Sequence, residues 1–327
     1  LAFGLLAAVE KSGLDLFLGS YPITPASDVL HALSGYKSFG VKTFQAEDEI
    51  AAMASTIGAA YAGDIAVTTT SGPGLALKGE GMGLAVMLEL PMVIFDIQRG
   101  GPSTGLPTKT EQADLLQAIF GRHGQAPIPV IAAQTPGDCF WTALEAVRLA
   151  FRHVTPVIVL TDGYIANGAE PFRVPDFDAI PPIEVKFRTS PEGFLPYDRD
   201  ELLARPLVRP GTPGLEHRVG GIEKQHLTGN ISYDPQNHER MVKMREEKVQ
   251  RVALSYPKTE AYGEQDGPLC VVSWGSTYGA VRAGVMAARA KGQRVGHVHL
   301  RYLNPLPNDL GEILSKYRRV IVPEMNL

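Results

Sequence analysis

Met92-Val93-Ile94-Phe95-Asp96-Ile97, broken at once by Gln98-Arg99-Gly100-Gly101-Pro102-Ser103-Thr104-Gly105, decides the fold. A short apolar run that ends in glycine, proline and small hydroxyl residues is a buried strand emptying into a loop. Outward from it the pattern recurs. Asp15–Gly19 leads into Tyr21-Pro22-Ile23-Thr24-Pro25, and Ile65–Thr69 leads into Ser71-Gly72-Pro73-Gly74. Val41–Phe44, Val130–Ala133 and Val157–Leu160 are the remaining strands of this half. Helical patterns lie between them at Ala26–Leu33, Asp48–Ala62, Leu75–Met87, Glu111–Phe120 and Gly137–Phe151. Strands alternating with helices predict βαβ units, hence an α/β fold around a parallel sheet. In such open sheets the ligand lies off the carboxyl ends of the strands, where these loops gather.

From Asn167 to about Lys258 the alternation lapses into proline, glycine and charge, centred on Arg209-Pro210-Gly211-Thr212-Pro213-Gly214. This predicts an extended connector that wraps a surface and closes with a charged helix, Asn237–Leu254. A second α/β pattern follows: strand Leu269–Trp274, helix Tyr278–Arg289, strand Arg294–His299, helix Asn308–Tyr317 and strand Val320–Val322. The expected division is therefore residues 1–185, a connector 186–257, and a smaller unit 258–327. The chain starts without Met inside a helical run, Leu1–Val9, and stops at Leu327 just after an apolar strand, so a longer polypeptide is expected.

A net charge of -4 with scattered Lys and Arg gives no footprint for nucleic acid or an anionic membrane surface. The two cysteines, Cys139 and Cys270, are far apart, so this chain alone offers neither an iron–sulfur nor a structural zinc site, and a reducing, cytoplasmic setting is expected. The run Leu1–Val9 is too short to span a bilayer.

Several residues carry chemistry. In Tyr21-Pro22-Ile23-Thr24-Pro25 the flanking prolines predict a rigid Thr24 hydroxyl, with Ile23 and Thr24 extended and Thr24 able to cap the helix that follows. Such a helix start also suits a carboxylate ligand. In Gln45-Ala46-Glu47-Asp48-Glu49 three acids precede an Ala-rich helix, where the helix dipole accounts for Glu47 and Asp48. Glu49 differs, because Ala52, Met53 and Thr56 make its face small and apolar, and a partly desolvated carboxylate can share a proton with a ligand nitrogen. Arg99 should project at the ligand end of the sheet, where its fork suits a carboxylate; the plain alternative is a surface ion pair. Lys78, among small and apolar neighbours early in a helix, is either an ordinary surface residue or a cation for a second substrate carboxylate.

Gly101-Pro102-Ser103-Thr104-Gly105 also matches the G-x-S-x-G elbow of serine hydrolases, with Ser103 as nucleophile. Against it, Leu106-Pro107-Thr108 delays the helix that an elbow needs immediately, and no downstream His announces itself as the base. A non-catalytic α/β binding module is the blander alternative. Asp162-Gly163 with Asn167 lacks the spacing of a thiamine diphosphate metal motif, and Gly72-Pro73-Gly74 with Lys78 lacks the order of a P-loop.

Taken together, Tyr21-Pro22-Ile23-Thr24-Pro25, Gln45-Ala46-Glu47-Asp48-Glu49, Thr70-Ser71-Gly72-Pro73-Gly74, Gln98 through Lys109 and Gly121-Arg122-His123-Gly124 resemble the α subunit of 2-oxoacid:ferredoxin oxidoreductases. They are most similar to the 2-oxoglutarate type (2-oxoglutarate synthase). The resemblance continues through Pro213–Arg218 and Gly229–Pro235 to Ser273-Trp274-Gly275-Ser276-Thr277, so it covers essentially the whole chain. It implies a thiamine diphosphate pyrimidine-binding domain followed by a transketolase C-terminal-like domain. It gives Glu49 the aminopyrimidine, with Ile23, Pro25, Ser71 and Gly72 around that ring, and Thr24 and Arg99 the 2-oxoacid. It further implies decarboxylation with electrons passed to ferredoxin and the acyl group to coenzyme A, with pyruvate or another 2-oxoacid as the alternative substrate. The diphosphate site, Mg²⁺ and the iron–sulfur cluster are then expected on a β subunit, with a γ domain or subunit as a further partner.

Overall fold

The computed structural model describes residues 1–326. The first part runs α1 (Ala2–Ser12), β1 (Leu16–Ser20), α2 (Ser27–Ser34), β2 (Val41–Gln45), α3 (Glu49–Ala62), β3 (Ile65–Thr70), α4 (Gly72–Leu77), α5 (Gly79–Leu88), β4 (Met92–Gln98), α6 (Leu115–Phe120), β5 (Val130–Ala132), α7 (Asp138–His153), β6 (Pro156–Asp162) and α8 (Gly163–Asn167). After a long irregular stretch come α9 (Pro235–Val252), β7 (Ala261–Gly263), β8 (Leu269–Trp274), α10 (Tyr278–Ala290), β9 (Val295–Leu300), β10 (Tyr302–Asn304), α11 (Leu310–Ser315) and β11 (Val320–Ile321).

The first sheet has the order β10-β5-β6-β4-β3-β1-β2, and the second β11-β8-β9-β7. The first is parallel from β5 to β2, and β3, β4 and β6 are buried along their whole length. Strands buried on both faces need no polar alternation, which is why they read as continuous apolar runs. Alternate side chains of β4 serve opposite faces. Val93, Phe95 and Ile97 pack with α1 and α7, while Met92 and Ile94 pack with Met53, α5 and residues of the second sheet, Cys270, Val272 and Trp274. Both cysteines are buried and free. Among the described residues no helix is long and apolar enough to cross a membrane.

The departures from sequence expectation have local causes. The helix expected over Leu75–Met87 is two helices meeting at Lys78, whose ψ of -1° bends the path within a glycine-rich stretch. The helix expected from Glu111 begins at Leu115, because Glu111 is drawn away to accept from the Gly101 amide at 2.9 Å. α9 starts at Pro235 with Asp234 as its cap, the Asp234 carboxylate accepting from the Asn237 amide at 2.6 Å. β7 and β10 are too short to show a period. Yet β10 matters: Tyr302 pairs antiparallel with Ile131 of β5, so the C-terminal part supplies an edge strand to the first sheet.

The connector, 168–234, has turns and isolated bridges such as Phe187 with Leu207 and Tyr197 with Leu227. It is fastened at Glu89, which ends α5 with φ 52° and pairs with both Arg199 of the connector and Lys248 of α9. Burial alone would raise the Glu89 carboxyl; Lys248 and Arg199 overcome it and hold the group far below the usual carboxylate range.

Candidate active site

Three strand ends meet here, because β1 pairs with β3 and β3 with β4. Tyr21, just past β1, is buried and its hydroxyl lies 2.8 Å from Thr70 Oγ1 at the end of β3. Burial, opposed by the Thr70 hydrogen bond and reinforced by the nearby Glu49, raises the Tyr21 phenol, so its proton stays in place. Gly74 makes the packing possible. A Cβ there would sit 2.0 Å from Tyr21 Oη, 2.2 Å from Thr70 Oγ1 and 2.9 Å from Glu49 Cγ. The loop after β3 therefore lies directly against the Glu49 side chain, an approach that glycine alone allows.

Glu49 opens α3 and is half-buried, with Ala52, Met53 and Thr56 buried behind it as expected. Asp48 is the cap, accepting from the Ala51 amide at 2.8 Å, which leaves the Glu49 carboxylate free of helix duty. Arg99, at the end of β4, is 6% exposed. It donates through Nη1 to the Thr24 carbonyl, and its Nε is buried with no protein partner. Ser71 ties the neighbouring loops together, donating to the Ile97 carbonyl at 2.8 Å and to the Thr24 carbonyl at 3.4 Å.

Thr24 differs from its expected role in the fold. It lies in a turn with a cis peptide to Pro25, and α2 begins only at Ser27, so Thr24 does not cap it. Instead Ser27 Oγ accepts from the Ile23 amide at 2.9 Å and donates to the Ile23 carbonyl at 3.1 Å. Thr24 is exposed, and its carbonyl rather than its hydroxyl makes the contacts to Arg99 and Ser71.

Lys78 is not a surface residue. It is 1% exposed, and Nζ donates to the Glu49 carbonyl at 3.0 Å and to Thr68 Oγ1 at 3.1 Å, 5.1 Å from the centre of the Tyr21 ring. Thr68 lies two residues below Thr70 on the same face of β3, so the ammonium sits beneath the layer that Tyr21 and Thr70 form. Burial lowers it to about 8 against the raising fields of Glu49 and Asp48. The expected alternative of an ordinary surface lysine does not hold, since Lys78 is buried against Glu49 and Thr68.

Sequence reasoning missed a pair of acids under the same loop. Asp96 of β4 is fully buried and neither carboxylate oxygen has a donor. Asp114 precedes α6 without capping it, and turns its carboxylate so close to Gly72 that a Cβ there would be 2.6 Å from Oδ1. Burial and then mutual repulsion raise Asp96 well above its ordinary value, and Asp114 is raised to about 6, chiefly by burial. The signal was present: Asp96 is the one charge in the apolar run Met92–Ile97.

Ser103 has φ 57°, as a hydrolase elbow would, but it is exposed, α6 starts only at Leu115, and no hydrogen bond joins Ser103 to an imidazole among the described residues. The elbow lacks its helix and its base.

A half-buried carboxylate and a buried guanidinium with an unmet donor both lie near Tyr21, beside a glycine-tight wall, a donor set that fits a protonatable heteroaromatic ring beside a carboxylate. The architecture defines the class first: a transketolase-like α/β fold, since a split-gene transketolase superposes over 99% of this chain and 78% of its own with a TM-score of 0.51 at 13% identity. Residues 9–232 match the family described as "Pyruvate flavodoxin/ferredoxin oxidoreductase, thiamine diP-bdg", and residues 268–327 match pyruvate:ferredoxin oxidoreductase core domain II. The chain belongs to this thiamine-diphosphate-binding oxidoreductase family.

A 2-oxoglutarate oxidoreductase subunit KorA of Mycobacterium tuberculosis is 55% identical over 100% of this chain and 50% of its own. A 2-oxoglutarate synthase subunit KorA of Archaeoglobus fulgidus is 34% identical over 97% of this chain and 84% of its own. A solved 2-oxoglutarate:ferredoxin oxidoreductase of Magnetococcus marinus, with 2-oxoglutarate, coenzyme A and succinyl-CoA bound, is 37% identical, covers 100% of this chain and 57% of that one, and superposes with a TM-score of 0.91. The chain thus spans half the length of the mycobacterial relative.

Proposed function

We propose that this chain is the α-subunit part of a 2-oxoglutarate:ferredoxin oxidoreductase, binding the aminopyrimidine end of thiamine diphosphate and the 2-oxoacid. The observation that carries the reading is Glu49, freed from capping and pressed against the glycine wall of the β3 loop, with Arg99 and its unmet donor near the same Tyr21 side chain. When bound, thiamine diphosphate supplies the carbon nucleophile that loosens the bond between the 2-oxo carbon and its carboxylate. Glu49 holds and moves a proton at the ring nitrogen, while Ile23, Pro25, Ser71 and Gly72 wall the ring. Arg99 orients the substrate carboxylate with its remaining N–H groups, and Thr24 offers its exposed hydroxyl to the same ligand. Lys78 holds the Glu49 backbone from below.

In this reading residues 1–185 form the pyrimidine-binding domain, 186–257 the connector and 258–327 the transketolase C-terminal-like domain, and the protein works in the cytoplasm. A β subunit brings the diphosphate site, Mg²⁺ and the iron–sulfur cluster; ferredoxin takes the electrons, coenzyme A the succinyl group, and a γ domain or subunit completes the assembly. The test is reconstitution. The chain alone should be colourless and inactive, and with its β partner should reduce methyl viologen when given 2-oxoglutarate and coenzyme A. Equal or better turnover of pyruvate would overturn the substrate, and a cluster absorbance band in the isolated chain would overturn the division of labour.

A further inference from the structure

Outside this cleft, a cavity of about 330 Å³ opens between the second sheet and the segment after α9, lined among others by Lys258, Tyr278, Arg282, His297, His299 and Arg301. It lies at the β10–β5 edge of the first sheet, with β6 between β5 and the strand that ends in Arg99. Ser273 Oγ is 2.8 Å from His297 Nε2 and 2.8 Å from His299 Nδ1. One hydroxyl proton can be given to only one ring, so Ser273 donates to one imidazole and accepts N–H from the other. The outer nitrogens, His297 Nδ1 and His299 Nε2, are then always one donor and one acceptor, and both are buried without a protein partner.

The charge around them is unbalanced. The Arg282 guanidinium is stacked on Tyr262 at 3.7 Å and lies 5.3 Å from the Tyr278 ring; its Nε is buried without a partner. No carboxylate within salt-bridge distance of Arg282 is found among the described residues. Arg301 is paired with Asp138, and Glu260 is the one carboxylate in the cavity wall. Burial and then Arg282 push His297 down to about 4, and burial, His297, Arg301 and Arg282 push His299 down to about 3. Both rings are therefore neutral near pH 7 and lie in a field that favours an incoming negative charge.

We propose that this cavity is a binding site for a small phosphate-type oxyanion, held by Arg282 and Lys258 and by the N–H end of the His297–Ser273–His299 chain. The size suits a free phosphate or a small phosphomonoester and is at the lower end for small-molecule pockets. The donors match the ligand: a guanidinium fixed by aromatic stacking and a neutral imidazole N–H both hydrogen-bond an oxyanion without a counter-proton. The site does not depend on the proposed function of the other cleft.

The full chain, in phosphate-free buffer at constant ionic strength, is titrated with inorganic phosphate and separately with glycerol 3-phosphate, while the ¹⁵N resonances of its imidazoles are followed. Saturable shifts confined to His297 and His299 are expected, with Arg282→Gln and His299→Gln each weakening the affinity roughly ten- to a hundredfold, as for loss of a charge-assisted hydrogen bond. Tighter binding of one titrant decides between free and carried phosphate, and either supports the site. Absence of saturation, or saturation that neither variant alters while both remain folded by circular dichroism, overturns it.

Discussion

The Lys78 ammonium donates to the backbone carbonyl of Glu49 across 3.0 Å, so the residue that opens α3 is held from beneath by the turn between α4 and α5. Its other donor contact goes to Thr68 on β3. A buried lysine acting through another residue should affect chemistry, not recognition of the substrate's far end. Lys78→Met in the reconstituted enzyme is expected to lower kcat equally with 2-oxoglutarate and pyruvate and to leave both KM values in place. A loss of about ten- to a hundredfold on 2-oxoglutarate alone would instead restore a direct carboxylate contact.

Glu49→Gln keeps the shape of the side chain and removes the exchangeable proton site. Turnover is expected to fall by about 10²–10⁴, the usual worth of general acid–base help, with thiamine diphosphate still bound. Glu47→Gln is the control, because Glu47 is exposed and lies before the capping Asp48. Normal exchange of the thiamine C2 proton in Glu49→Gln, with loss in Glu47→Gln, would show that the wrong acid has been assigned.

Arg99→Lys preserves charge and loses the planar fork. In the structure one N–H already serves the Thr24 carbonyl, so an ammonium cannot hold that loop and a substrate carboxylate in the same geometry. The expected result is a raised KM for the 2-oxoacid with cofactor binding intact. Thr24→Val leaves the carbonyl contact in place and should raise KM by less than Arg99→Lys, through loss of the exposed hydroxyl alone. Loss of cofactor in either variant would make these loops structural.

The parallel strands were legible because a strand buried on both faces has an unbroken apolar signature, as Met92–Ile97 does. The positions of Glu49 and Arg99 in the fold were legible, because a helix start and a strand end can be read from the chain. Thr24 was half-legible: the prolines announced a rigid turn, but its isomer and the role of Ser27 as the local hydrogen-bonding hub depend on geometry that no pattern encodes. Lys78 was illegible, since the sequence around it cannot tell that Glu49, contributed by another helix, supplies a carbonyl for it. β10 was hidden for a related reason: three residues carry no period, and its partner β5 is distant in the chain.

Asp114 lies against Gly72 and close to Asp96; burial and then the Asp114 charge raise Asp96, and chiefly burial raises Asp114, so a proton retained by the pair is expected. Glu111, near Asp114, adds to the negative field, and no cation is among the causes of either shift. The folded-state affinities lie above the unfolded value of 3.8, at about 6 for Asp114 and well above 3.8 for Asp96. A raised value means that the folded state binds the proton more tightly, so this contribution to stability is fully present below the unfolded pKa and is lost as pH rises through the folded ones. Asp114→Asn replaces one acid by an isosteric amide that can donate to Asp96 permanently. The variant's melting temperature is expected to change less than that of the parent chain between about pH 5 and about pH 8, with the two curves closest at the acid end. Because the pair abuts Gly72, the parent should also lose cofactor affinity with rising pH faster than the variant, read by thiamine diphosphate titration of the reconstituted enzyme. Parallel melting profiles would mean that no proton is shared, and would return Asp96 to the status of a buried acid with an unseen partner.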